Sequence, residues 1–245
     1  MSSKIVRAVQ VVGVYPAAYT AGLALGGYLR YQKRAGKLAV INEGELTVRR
    51  PHGTLILANH PSIMEPWVLA GLYAPQSLRN PNRMPWSTPD FGNFVSHWYG
   101  QWLRVRTIPV YRGNAEKARE MIVEIVAALC RGETVIMFPE GGRTRSVKNG
   151  EKHRRSPVTG RLIRPFKCRR LLEALPSETE ILSTWIEREW DNRPKVGHGI
   201  PDGFKPMIVV FGRAKRRPAW MTAAQAVHWC EDQILALADT LPSQQ

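Results

Sequence analysis

A histidine followed five residues later by a glutamate is the pair in this sequence best suited to acid–base chemistry. His60 ends a short apolar run, and Glu65 follows it within residues 56–66. On an ideal helix a separation of five places two side chains roughly 140° apart, so the pair can meet only if the chain bends. Pro61 disfavours helical geometry at His60, and Pro66 suits a first helical turn. We therefore predict that His60 ends a strand and Glu65 begins a helix.

The same residues also permit a purely structural interpretation. Ser62 and Glu65 have the spacing of a capping box, in which the glutamate only caps the helix. A second stretch favours the chemical interpretation, because residues 138–146 also follow an apolar run and turn into a polar, glycine-rich loop. Open α/β sheets build their sites from loops at the carboxyl ends of their strands.

At these motifs the sequence resembles the glycerolipid acyltransferases, a family that includes 1-acylglycerol-3-phosphate and glycerol-3-phosphate acyltransferases. Residues 59–65 resemble its N-H-x-S-x-x-D block, residues 108–112 its second block, and residues 138–146 its third block, F-P-E-G-x-R-S. The fourth block matches weakly, near residues 181–186. In the first block Glu65 stands where the family has an aspartate, which keeps the charge and adds a methylene.

The resemblance implies direct transfer of an acyl group from a thioester to an alcohol. His60 would take the proton of the acceptor hydroxyl, and Glu65 would hold the ring tautomer and stabilise the imidazolium. No side-chain nucleophile, metal or other cofactor is required, and acyl-CoA or an acyl carrier protein is the donor. We expect the acceptor to be bound by Arg112, Glu140, Gly141, Gly142, Arg143, Arg145 and Lys167. The arginines would grip its phosphate, and Glu140 would orient an arginine or the acceptor hydroxyls.

Features of the sequence favour different acceptors within that family. Residues 140–145 and the tail 159–167 resemble the glycerol-3-phosphate branch. The short chain and the opening of the third block, residues 138–140, are closer to the 1-acylglycerol-3-phosphate branch. An uncharged N-terminal run favours a lysolipid that enters from the bilayer. We therefore predict acylation of 1-acylglycerol 3-phosphate to phosphatidic acid, with glycerol 3-phosphate as the alternative acceptor.

Length and charge restrict the class of protein further. The chain has 245 residues, is 44% hydrophobic and carries a net charge of +15, which predicts a polyanionic partner, either an anionic lipid surface or nucleic acid. A nucleic-acid-binding protein would interleave basic residues with exposed aromatics, whereas the basic loop 143–170 is nearly free of aromatics. We therefore expect membrane lipid and not nucleic acid as the partner. The sequence has no G-x-S-x-G elbow of a lipase or thioesterase and no cysteine spacing typical of zinc.

The N-terminal segment is the predicted membrane contact. No charged residue occurs from Ala8 to Leu29, basic residues flank the run, and Pro16 and several glycines interrupt it. We favour a broken pair of helices lying in one leaflet at the cytoplasmic membrane face, as in a peripheral or monotopic protein. A spanning helix, a signal peptide and a buried helix are the alternatives. Residues 1–37 are assigned to this segment and residues 38–245 to the acyltransferase domain.

The remaining periodicity predicts an α/β fold with a mostly parallel central sheet flanked by helices. Strands are predicted at residues 38–41, 45–49, 54–58, 107–111, 134–138, 181–186 and 207–211, and helices at residues 66–73, 115–130 and 222–241. Strand, helix and strand between residues 107 and 138 imply a parallel crossover. Residues 77–90 contain three prolines and are predicted to form a loop. Residues 147–158 are predicted to be a basic insertion.

Overall fold

A sheet of seven strands lies at the centre of the protein in a computed structural model that describes residues 3–62, 64–92, 106–142, 153–188 and 205–242. The strands are β1 (Leu38–Ile41), β2 (Thr54–Ala58), β3 (Trp86–Ser87), β4 (Thr134–Met137), β5 (Arg154–Arg155), β6 (Leu162–Ile163), β7 (Glu180–Arg188), β8 (Met207–Phe211) and β9 (Lys215–Arg216). β5 and β6 pair with each other as an antiparallel ribbon, and the other strands form the central sheet.

The strand order in the sheet is β1-β8-β7-β2-β4-β3, with β9 paired to β7. β2 runs parallel to both β4 and β7, β3 runs parallel to β4, and β8 runs antiparallel to β7. The predicted α/β class with a mostly parallel central sheet is therefore confirmed. Because β2, β4 and β7 are parallel, the loops that follow β2 and β4 emerge at the same edge of the sheet, which we call the carboxyl edge.

Helices cover both faces of this sheet. They are α1 (Ser3–Arg34), α2 (Glu65–Leu72), α3 (Ala74–Arg79), α4 (Ala115–Cys130), α5 (Arg169–Ala174) and α6 (Ala223–Ala238). Alternate residues of β2 belong to different cores. Leu55 and Leu57 pack with α4, α5 and α6, whereas Ile56 and Ala58 pack with α1 and α2. A strand buried on both faces reads as an unbroken apolar run, which is why β2 is evident from sequence.

Residues 45–49 do not form the predicted strand. A short 3₁₀ helix, Glu43–Leu46, occupies this place. Asn42 adopts left-handed backbone geometry, with φ of 58°, and its side-chain amide donates to the carbonyl of Phe211 at 2.9 Å. The side chain of Arg50 donates to the Glu45 carbonyl at 2.8 Å and to its carboxylate at 2.6 Å. These contacts close the segment into a turn, so the extended pattern in the sequence is overridden.

The predicted loop at residues 77–90 and the predicted strand at residues 107–111 also differ from the structure. The first contains the end of α3, a 3₁₀ turn (Pro81–Arg83) and β3. Pro75 lies in the first turn of α3, where its missing N–H costs little. Residues 107–111 form only isolated bridges to Ser87 and Asp90, since Pro109 cannot donate to a continuous ladder.

The N-terminal segment is one helix rather than the predicted broken pair. Pro16 lies inside α1, and the hydroxyl of Thr20 donates to the Pro16 carbonyl at 2.6 Å. The helix nevertheless continues through Pro16, which lacks the N–H that would bond to the carbonyl four residues earlier. Within the described ranges, none of the helices combines the length and the apolar character that crossing a bilayer would need.

The C-terminal half of α1 packs on the rest of the protein. A Cβ on Gly26 would lie 2.7 Å from the Cβ of Ala74, so a glycine there permits α1 and α3 to approach closely. Leu29 is 2% exposed and belongs to the core that also contains Ile56 and Val68. The domain division at residue 37 and the contact of this segment with a membrane stay predictions.

Candidate active site

His60 and Glu65 meet at the carboxyl edge of the sheet. The chain leaves β2 at Ala58, bends through Pro61, and begins α2 at Glu65. The bend brings Nδ1 of His60 to 2.9 Å from Oε2 of Glu65. The Glu65 side chain is fully buried, whereas that of His60 is 20% exposed. The structure thus places a buried carboxylate behind a histidine that solvent can reach.

Ser62 and Glu65 do not form the capping box that their spacing permits. Residue Met64 precedes α2 and makes no side-chain capping bond. The hydroxyl of Ser62 instead donates to Oε1 of Glu65 and accepts the backbone N–H of Met64 at 3.1 Å. Both carboxylate oxygens of Glu65 therefore face the bend, one toward Ser62 and the other toward His60. Glu65 also lies in the first turn of a helix, where the helix dipole favours a negative charge.

This contact determines which nitrogen of His60 can accept a proton. A carboxylate is acceptor-only when ionised, so it selects the tautomer with a hydrogen on Nδ1. The lone pair of Nε2 is then available to a substrate hydroxyl. The imidazole also lies against Phe138, with ring centroids 4.6 Å apart, and Phe138 follows the neighbouring strand β4. Glu65 and Phe138 together restrict the orientation of the ring.

Glu140 joins the loops that follow β2 and β4. Its side chain is fully buried. Oε1 accepts the backbone N–H of His60 at 2.9 Å, and Oε2 accepts the backbone N–H of Arg164 at 3.1 Å. Sequence reasoning missed this bridging position, because the partners lie 80 and 24 residues away and contribute only backbone atoms.

Gly141 and Lys167 lie together in the loop after β4. Gly141 has a φ of +65°, and a Cβ there would lie 3.1 Å from Cδ of Lys167. A larger residue would thus be strained and would displace the lysine stem. The backbone N–H of Lys167 donates to the carbonyl of Pro139 at 2.8 Å, and Lys167 is exposed. Gly142 follows directly, and the predicted residues Arg143 and Arg145 lie outside the described residues.

Arg112 lies well away from His60 along the carboxyl edge of the sheet. Its guanidinium pairs with the carboxylate of Asp90 and is 59% exposed. The segment that precedes Arg112 bridges to Ser87 and Asp90, beyond β3, so it lies three strand spacings from β2. At about 4.8 Å per spacing, that is roughly 14 Å across the sheet from the strand that leads to His60.

Asn59 is a site residue that sequence reasoning missed. Its side chain is buried, and its amide exchanges two hydrogen bonds with the backbone of Ile186 on β7. These bonds hold the chain where it leaves the sheet, directly before His60. The available signal was its place as the first residue of the block at residues 59–65. In the part of the chain that the structure describes, no group of three or more His, Cys, Asp or Glu side chains is arranged to hold a metal ion.

Comparison with known proteins places these residues in a family context. A family model described as Acyltransferase matches residues 39–174, which include His60, Glu65 and the loop after β4. The chain is also similar to the crystal structure of the 1-acyl-sn-glycerophosphate (LPA) acyltransferase, PlsC, from Thermotoga maritima. That match has a TM-score of 0.53 and 17% sequence identity, and it covers 99% of this chain and 100% of that chain. At this identity the likeness shows the fold alone. No curated protein gives a significant match.

Proposed function

Since the chain belongs to the acyltransferase family, we propose that it transfers a fatty acyl group from a thioester to the hydroxyl of 1-acylglycerol 3-phosphate, which yields phosphatidic acid. The observation that carries this proposal is the contact of 2.9 Å between His60 Nδ1 and the buried carboxylate of Glu65. A base held in this way can activate a hydroxyl without any covalent enzyme intermediate.

The transfer proceeds by direct attack of the acceptor hydroxyl on the thioester. Nε2 of His60 takes the hydroxyl proton while the oxygen bonds to the carbonyl carbon, and Glu65 stabilises the imidazolium that forms. The tetrahedral intermediate then breaks its carbon–sulfur bond, and the imidazolium returns its proton to the departing thiolate. The products are an ester and a free thiol, and His60 is again neutral. Acyl-CoA and an acyl carrier protein both supply the required thioester.

The acceptor phosphate requires cations near this base. We propose Lys167 as one of them, because its stem lies over Gly141 in the loop after β4, the strand next to β2. Arg143 follows Gly142 in the sequence and is proposed as the second. Arg112 and Arg145 are further candidates, and Arg112 would have to leave Asp90 to bind a phosphate. Glu140 holds backbone atoms of this site rather than facing a phosphate in our proposal.

The lysolipid acceptor implies that the enzyme works at a membrane surface. We propose that α1 provides the contact on the cytoplasmic side. Tyr19, Leu23 and Tyr31 are exposed apolar residues at spacings of four and eight, which keeps them within one side of the helix. Arg34 is exposed in its last turn, where it suits an anionic headgroup layer, whereas Lys33 is paired with Glu43 at 2.6 Å.

A panel of acceptors and donors tests this function. The purified protein would be assayed with 1-acylglycerol 3-phosphate and with glycerol 3-phosphate, each with acyl-CoA and with acyl carrier protein, beside a folded His60→Ala variant. We expect phosphatidic acid from the lysolipid in the wild type and not in the variant. Efficient acylation of glycerol 3-phosphate alone would overturn the choice of acceptor. Equal activity in the His60→Ala variant would overturn the mechanism.

A further inference from the structure

Glu231, on α6, is a buried carboxylate outside the family match. Its side chain is 1% exposed. Oε1 accepts the backbone N–H of Phe166 at 2.8 Å, and Oε2 accepts from the guanidinium of Arg154 at 2.8 Å. Nδ1 of His228 lies 3.1 Å from the same Oε2. Both oxygens of Glu231 are therefore engaged, and each holds a different point of the chain.

Those two points are the ends of one segment. Residues 153–167, which we call the basic segment, contain the β5–β6 ribbon, with Arg154 near one end and Phe166 near the other. Between its ends, Arg161 donates to the carboxylate of Glu187 at 2.8 Å and to the carbonyl of Ala238 at 2.9 Å. Glu231 thus closes the basic segment against α6, since one carboxylate fixes where it starts and where it ends.

The C-terminal end of the basic segment contacts the candidate active site. The backbone N–H of Arg164 donates to Glu140, which in turn accepts the backbone N–H of His60. The next residue after Phe166 is Lys167, whose backbone N–H donates to Pro139 at 2.8 Å. A shift of Phe166 would therefore displace the support of His60 on one side and the Lys167 stem on the other.

We propose that Glu231 is a positioning residue for acyl transfer, which holds the basic segment so that Glu140 and Lys167 are correctly placed relative to His60. Its effect on turnover rests on the function proposed above, whereas its hold on the segment does not. A misplacement of about 1 Å at such a site costs up to roughly 10²-fold in rate.

The variant Glu231→Gln tests this role against a matched control. A glutamine keeps the size but has one oxygen, so it cannot accept from both Phe166 and Arg154. The control is Asp232→Asn. Asp232 is the next residue on the same helix and accepts from the other terminal nitrogen of Arg154 at 2.7 Å, but it is 58% exposed. Both variants remove one negative charge beside the same arginine, and only Glu231 holds Phe166 as well.

Kinetics and amide exchange give independent readouts. For Glu231→Gln we expect kcat/KM for the acceptor to fall at least about tenfold, with a higher acceptor KM and an unchanged donor KM. Exchange of backbone amides in residues 153–167 should become faster by a similar factor. Asp232→Asn should change each quantity less than about twofold, because an exposed ion pair contributes little. A merely structural role would lower the amount of active enzyme without changing the acceptor KM.

Several results would overturn the proposal. Unchanged exchange in Glu231→Gln would show that the carboxylate does not hold the segment. Faster exchange with wild-type kinetics would show that the segment does not position the site. If Glu231→Gln does not fold, Arg154→Gln is measured in its place, because it removes the bond to Arg154 and keeps the bond to Phe166. Wild-type amide exchange and wild-type kinetics in Arg154→Gln would refute the proposal that Glu231 holds the basic segment against α6. A wild type without acyl transfer would refute the proposed function, and the exchange measurement would still decide whether Glu231 holds the segment.

Discussion

The side chain of Asn59 binds the backbone of Ile186 on β7, and so it continues the pairing of β2 with β7 after β2 has ended. Its amide nitrogen donates to the Ile186 carbonyl at 2.9 Å, and its amide oxygen accepts the Ile186 N–H at 2.6 Å. A side chain thereby substitutes for the backbone ladder at the residue before His60. The backbone can turn out of the sheet at this point without leaving the Ile186 N–H and carbonyl of β7 unsatisfied, and the bend that carries His60 is anchored to the central sheet.

Replacement of this amide should therefore affect both stability and rate. In Asn59→Ala, a buried N–H and a buried carbonyl of Ile186 lose their partners, which should lower the free energy of unfolding by about 3 kcal/mol. Turnover should also fall because His60 loses its anchor. Chemical denaturation and an acyl-transfer assay measure the two effects. Asn82→Ala is the matched control, since Asn82 is exposed and should change stability by less than about 0.5 kcal/mol. Wild-type stability in Asn59→Ala would contradict this account.

The proposed base and its partner predict a graded series of variants. His60→Ala should abolish nearly all turnover and leave the fold intact. Glu65→Gln should lower kcat on the order of 10²-fold or more, because the amide does not select the required tautomer. Glu65→Asp introduces the aspartate that the glycerolipid acyltransferase block has at this position, and this variant should keep measurable activity. His52 is an exposed histidine before β2, so His52→Ala should behave as the wild type. Steady-state kinetics with circular dichroism checks each variant, and a fully active Glu65→Gln would refute the orienting role.

The proposed phosphate contacts predict an effect on the acceptor alone. Lys167→Met should raise the acceptor KM and leave the donor KM nearly unchanged, with a loss of about 1.5–3 kcal/mol typical of a charge-assisted bond. Arg143→Lys should act in the same direction, because lysine cannot replace a bidentate arginine. Lys215 is exposed on β9 at the opposite edge of the sheet, so Lys215→Met serves as the control. An equal rise in KM for donor and acceptor would argue against a phosphate contact.

The three cysteines should differ sharply in reactivity. Burial raises the pKa of Cys168 to about 12, and burial also raises the pKa of Cys230, whereas Cys130 is exposed. Because the thiolate is the reactive form, the two buried thiols should stay unreactive near pH 8. A thiol reagent should titrate one group in the native protein and three after unfolding. Cys130→Ala should remove the native reaction, and rapid modification of a second thiol in that variant would contradict the burial.

The structural features that the sequence predicts well are those determined by residues close together in the chain. The bounds of α4 agree with the prediction because its apolar face is periodic and Gly132 follows its end. The bend from His60 to Glu65 is predictable because two prolines enclose it. The position of Glu140 is not, because its carboxylate binds backbone N–H groups brought close only by the sheet. The turn at Glu43–Leu46 is missed for a similar reason, since the partner of Asn42 is the carbonyl of Phe211, 169 residues away.

Variants of two leucines on α1 should distinguish the packing of this helix on the protein from the proposed membrane contact. Leu29 is 2% exposed and lies in the core, whereas Leu23 is 65% exposed. Leu29→Ala should lower the free energy of unfolding by about 2–4 kcal/mol, since it opens a cavity beside α2. Leu23→Ala should change stability by less than about 0.5 kcal/mol and should weaken sedimentation with anionic liposomes, because it removes apolar surface from the proposed contact. Removal of residues 1–18 should leave a folded domain, but removal of residues 1–30 should not, because it takes Leu29 from the core. A stable protein without residues 1–30 would show that the core does not need α1, and undiminished liposome binding by Leu23→Ala would move the membrane contact away from this face of the helix.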